Sequence, residues 1–181
     1  MSSFVLAFAV ALSGCGSVDV FTVARLAAIS PLEADPAGSA VTADLPEGLR
    51  LRPDGLVLEL EAQRADLGEA VGARYVLVAQ QEGGRKVWRV NPDDLSELRM
   101  LQAKIREWES SAPDATEGHL GVYVAGCAVG AGPDPEGTIS VFLRTSAEDP
   151  LRPLIRNAPM KDVISFVGEV VIPPCDVLAQ R

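Results

Sequence analysis

A single histidine, His119, stands in a chain of 181 residues. Histidine is the side chain that titrates near neutral pH and the commonest transition-metal ligand. One copy, with no partner at ligand spacing, reads as a surface or strand-edge residue rather than a base or a ligand. The chain has no HExxH or CxxC spacing, no GxSxG and no GxxxxGK. Zinc chemistry, dithiol redox chemistry, acyl transfer from an elbow serine and a phosphate-cradling loop therefore have no motif to carry them. Basic residues are in the minority, 16 against 25 acidic ones, and the net charge of −9 repels a nucleic-acid backbone. No apolar run reaches the ~20 residues of a membrane span. The run that stands out, Phe4 to Leu12, has nine residues. No repeat, low-complexity tract or linker divides residues 18–175, which predicts one domain.

What the chain does have is 48 % apolar and 23 % charged residues, enough to build one core and too much to stay unfolded. Short alternating runs separated by turn residues predict strands. They fall at Val18–Val23, Val41–Leu45, Leu120–Val129, Thr138–Arg144 and Val163–Ile172. Two hairpins are expected as well. One joins Leu49–Arg52 to Leu56–Glu61 through Pro53-Asp54-Gly55, where proline presets φ and glycine permits φ > 0. The other joins Tyr75–Val78 to Lys86–Val90 across Glu82-Gly83-Gly84. Ala62 to Ala73 gives no clear signal, and Asp149 to Pro159, with three prolines, reads as a helical turn or an ordered loop. One helix is well marked: Asn91 as cap, Pro92 at its first position, Asp93 and Asp94 at the positive end of its dipole. Leu95, Leu98, Leu101, Ile105 and Trp108 form its apolar face, and it ends near Ser110. The pattern predicts a mainly β fold, an antiparallel β-sandwich with one α-helix, and leaves an immunoglobulin-like arrangement open.

Leu12-Ser13-Gly14-Cys15 closes the apolar run with an aliphatic residue, two small residues and a cysteine. This resembles the lipobox of bacterial lipoproteins. Met1-Ser2-Ser3 departs from the usual signal in carrying no basic residue. The resemblance implies that 1–14 is a signal peptide, removed before Cys15, and that the Cys15 thiolate takes a diacylglycerol in thioether linkage. Residues 15–17 would then be the lipidated terminus and a short tether, and 18–181 a single β-rich periplasmic domain. Gly16 and Ser17 follow the cysteine, where an aspartate often retains such proteins at the inner membrane. The resemblance thus implies an outer-membrane anchor facing the periplasm. In that oxidising compartment the two remaining cysteines, Cys127 and Cys175, are expected to pair.

Function is less well marked. Asn91, Asp93 and Asp94 could offer oxygens to calcium, but capping explains each of them, and Asp134 and Glu136 belong to a Gly/Pro turn. Arg144, Arg152 and Arg156 form a weak basic cluster that reads as solvated arginines. Trp88 and Trp108 read as core, and the glycines at 118, 121, 126, 130 and 132 as sites of close backbone packing or bulges. No catalytic residue, metal ligand or cofactor is assigned. The expected function is a lipid-anchored envelope protein, a non-catalytic binding or structural module that meets the membrane through Cys15 and an envelope protein through its loops or a strand edge. The alternatives are a periplasmic carrier with an apolar pocket between its sheets, and an enzyme built from dispersed carboxylates.

Overall fold

The computed structural model describes residues 32–162 and 172–178. Cys15 with its lipobox, the expected first strand at 18–23 and nearly all of the expected last strand lie outside the described residues. Among the described residues, eight strands and one long helix run in the order β1 (Ala40–Asp44), β2 (Leu49–Arg64), β3 (Glu69–Val76), β4 (Val78–Glu82), β5 (Arg85–Arg89), α1 (Leu95–Ser111), β6 (Thr116–Ala128), β7 (Thr138–Arg144) and β8 (Arg152–Pro159). A single helical turn, α2 (Cys175–Leu178), follows. The strands form two antiparallel sheets, β4-β5-β1-β7-β8 and β3-β2-β6. The molecule is mainly β, two sheets and one substantial helix, as the alternation predicts.

The second hairpin closes at the expected glycines. Gly83 and Gly84 both have positive φ, the requirement of a two-residue type I′ turn, and Glu82 pairs with Arg85 across it. Tyr75 and Val76 belong elsewhere, to β3, where Tyr75 faces Leu58 of β2.

The first expected hairpin is not one. Leu49 to Arg64 is a single strand paired with β6 along its length, and Pro53-Asp54-Gly55 lies within it. Leu51 pairs with Gly126 and Leu56 with Val124, so four residues of β2 oppose Ala125 alone. This is a wide bulge. Gly55 is needed there because a Cβ would collide with the carbonyl oxygen of Ala125. The unassigned stretch becomes the end of β2 and most of β3. The proline-rich segment is strand β8 rather than a loop, at the edge of its sheet among the described residues. An edge strand tolerates prolines, since the missing N–H can sit on the unpaired side.

Helix α1 is entered through a 3₁₀ turn, Pro92–Asp94, whose first free N–H, that of Asp93, donates to Asn91 Oδ1 at 3.2 Å. Leu98, Ile105 and Trp108 are buried with Leu60, Ala62 and Tyr75 of the three-stranded sheet. Gln102 is buried too, donating from Nε2 to the Ala34 carbonyl at 3.1 Å. Tyr75 carries its hydroxyl to Glu97, and burial, with that carboxylate beside it, pushes its pKa up to about 12. Trp88 and Trp108 are both core, as expected.

Glu82 pins the β4–β5 hairpin. β5 pairs with β1 only at Trp88 and Val41, so most of the hairpin lies outside that ladder. Its tip instead rests on the neighbouring strands: Thr42 Oγ1 donates to the Lys86 carbonyl at 3.0 Å, and Arg85 lies over the Phe142 ring. Both Arg144 and Arg89 donate to the Glu82 carboxylate, Arg144 Nη2 at 2.9 Å. Arg144 is 8 % exposed and its Nε has no partner among the described residues, so Glu82 is the group that makes this buried cation tolerable. The two guanidiniums, Arg144 foremost, hold the Glu82 carboxyl below the usual carboxylate range. A depressed folded-state pKa means that its contribution is present above about pH 4.5 and is lost as pH falls through the folded value. Glu82→Gln should therefore lower Tm by several degrees at pH 7, and the gap to the wild type should close in acid. Thermal melts across that range check it. The double variant Glu82→Gln with Arg144→Met should melt above the single one, because it leaves no buried cation unpaired.

Candidate functional site

The core is divided along β2. Beyond the bulge Leu56, Leu60 and Ala62 are buried in the cluster that includes Leu98, Ile105 and Trp108 of α1, Leu56 at 1 % and Leu60 at 4 % exposure. The other end, Leu49 and Leu51, faces an apolar cavity of about 350 Å³ between the sheets. Leu49, Leu51, Val124 and Gly126 supply one side, and Ile139, Val141, Ile155 and Ala158 the other. The bulge in β2 lies where the packed core gives way to the cavity: Leu49 and Leu51 precede it and Leu56 follows it. Four residues against one break the strand's alternation at that point. Gly126 keeps the floor clear: a Cβ there would press on Leu49 Cδ1 at 2.9 Å.

Two covalent or hydrogen-bonded ties close the end of this cavity. The backbone N–H of Ala128 donates to the Pro173 carbonyl at 2.9 Å, which holds Ile172 and Pro173 against the lining. Two residues on, Cys175 Sγ stands at disulfide distance from Cys127 Sγ, 2.01 Å, with the Cα atoms 4.9 Å apart. This bridge runs from β6 to the start of α2. It does not link two facing strands, as the bridge of antibody domains does. A similar irregularity shapes the opposite wall. Between Ile139–Ala158 and Val141–Ile155, β8 carries an extra residue. Asn157 takes positive φ there, its N–H donating to Ser140 Oγ at 2.9 Å.

Arg52 is the one charged residue among the described residues of the lining. It opens the bulge, and its side chain is 35 % exposed. A long cation in that state lays its stem on apolar surface and leaves its head in water. Its ionic partner is Asp54, at 3.8 Å and 65 % exposed, a loose surface pair of small worth.

Comparison with protein-family models, with curated proteins and with solved structures finds no match to this chain. The cavity is therefore read from its own chemistry.

The other residues singled out in the sequence lie away from it. His119 is exposed on β6 and pairs across the ladder with Glu61. It shares a face with Tyr123, to whose phenol Glu59 is hydrogen-bonded, raising the Tyr123 pKa, and over whose ring Arg74 sits at 5.1 Å. Arg144 is buried on Glu82, so the basic cluster does not act together as a free patch. Asn91 and Asp93 serve the helix start. The sequence reading missed the cavity residues and Arg52. One signal was present. Leu49 and Leu51 fall on odd positions while Leu56, Leu58 and Leu60 fall on even ones. Such a phase change along a strand is the mark of a bulge as much as of a turn.

Proposed function

We propose that this protein is a lipid-anchored envelope protein that binds an apolar small molecule between its sheets, a carrier or sensor rather than a catalyst. The observation that carries the reading is the cavity. Its volume is at the low end of the roughly 300–1,000 Å³ typical of small-molecule sites, and its walls are apolar with one polar exception. A molecule with one alkyl chain suits that space, and a two-chain phospholipid exceeds it. The lipobox supports the setting: a protein tethered at Cys15 would hold such a pocket close to a membrane that supplies apolar ligands.

A thermal-shift and calorimetric titration with single-chain amphiphiles tests the pocket. Binding should raise Tm. Ala158→Leu, which adds carbons to a buried wall residue, should weaken binding by about tenfold or more while leaving Tm unchanged or higher. Undiminished binding to that variant would remove the cavity from consideration. In bacterial cells expressing the protein, Cys15→Ser should abolish detergent partitioning and leave uncleaved precursor. A second reading, a protein partner in the envelope, is favoured by Val76 and Tyr123, exposed apolar residues that both pair with Val57 on the outer face of the three-stranded sheet. Retention of a specific partner without any ligand response would select it.

A further inference from the structure

We propose that the ligand of this cavity is a monoanionic single-chain amphiphile, a fatty carboxylate, with its chain between the sheets and its carboxylate on Arg52. The inference rests on the reading of the cavity as a binding site and adds the class of ligand. Three observations carry it. Among the described residues the lining holds one charge, and it is a cation, in a chain whose net charge is −9. A lone arginine beside an apolar cavity matches a ligand that is apolar along its length and anionic at one end. Guanidinium is the side chain whose planar fork fits a carboxylate with two parallel hydrogen bonds.

The bulge is the second observation. In a regular strand, residues of one parity share a face, so Leu49 and Leu51 inside would place Arg52 outside. The four-residue bulge starts at Arg52, breaks that alternation, and brings Arg52 into the lining together with Leu51. Bulges recur beside binding sites because they re-aim a side chain in this way.

The third concerns charge number. Asp54 stands 3.8 Å from Arg52, so an incoming head must share or displace that pair. A single negative charge exchanges with an exposed, long ion pair at little cost. A dianionic phosphate in the same place gains on Arg52 what it loses on Asp54 and leaves a second charge to be stripped of water with no second cation to compensate it. The neighbourhood therefore favours a carboxylate over a phosphate monoester.

The experiment compares laurate, lauryl alcohol and lauryl phosphate by calorimetric titration of the full chain carrying Cys15→Ser. Laurate should bind roughly ten- to a hundredfold tighter than lauryl alcohol, the worth of a charge-assisted hydrogen-bonded pair. Arg52→Gln should reduce that preference to about one while leaving lauryl alcohol binding in place, which also reports an intact fold. Asp54→Asn should tighten laurate and narrow its lead over lauryl phosphate. Equal binding of laurate and the alcohol, or a laurate preference that survives Arg52→Gln, would overturn the assignment of Arg52 and leave the apolar cavity standing. Tighter binding of lauryl phosphate than laurate would overturn the carboxylate. Binding of none of the three would bring down the cavity reading and this inference with it.

Discussion

Trp108→Ala should remove about 3–5 kcal/mol from the free energy of unfolding, the cost of deleting a large buried aromatic. Trp108 is 2 % exposed and belongs to the cluster of Leu98 and Ile105 on α1 with Leu60, Ala62 and Tyr75 beneath. It is among the largest fully buried side chains described, and it sits in the last two turns of the helix, where nothing else of its size reaches the sheet. Lys104 lies over its ring, 5.4 Å from the centroid, so the truncation also removes a cation–π contact on the outer side. Urea unfolding followed by circular dichroism measures the loss. Met100→Ala is the control: at 65 % exposure on the same helix, it should change stability by no more than about 0.5 kcal/mol. A small effect at Trp108 would mean that α1 is not the element that closes the core.

Trp108 was legible as core in the sequence, at the end of the apolar stripe of α1. Helix α1 announces itself because its signals agree: cap, proline, acidic first turn and an apolar stripe at three- and four-residue spacing. β7 was equally clear, bounded by Gly137 and by the end of its alternation at Arg144. The errors fall where one local signal has two physical outcomes. Pro53-Asp54-Gly55 has the composition of a turn, and a turn and a bulge both need a residue free to bend the chain. What separates them is the partner strand. β6 runs unbroken from Thr116 to Ala128 and requires one long partner, a fact about pairing that no window on β2 contains. β8 was obscured by its prolines, whose cost depends on whether the strand is central or at an edge, again a property of the sheet. The cavity has the same origin. Its lining comes from β2, β6, β7 and β8 together, and each segment alone reads as ordinary core.

Loss of the Cys127–Cys175 bridge should lower stability by up to about 4 kcal/mol, the chain-entropy value for the 48-residue separation it spans. The fold should survive, because the α1 side of the core contains neither cysteine and is closed by Trp108, Ile105 and Leu98. The larger effect should be on the cavity. Ile172 and Pro173 form part of its wall, and the disulfide is joined there by a short parallel β-bridge of Ala128 with Pro174, whose Ala128 N–H donates to the Pro173 carbonyl. One backbone hydrogen bond is worth about 1 kcal/mol net. The wall should therefore loosen before the rest of the protein does, and ligand affinity should fall more than the melting curve alone suggests. Cys127→Ala with Cys175→Ala, and separately the reduced wild type, are compared with the oxidised protein by urea unfolding and by laurate titration. Mass spectrometry of alkylated, unreduced protein taken from expressing cells establishes the starting state. Two alkylatable thiols at these positions would defeat the claim of a bridge in the native protein. Stability that drops while affinity stays the same would show that the bridge serves the chain as a whole and leaves the cavity wall to other contacts.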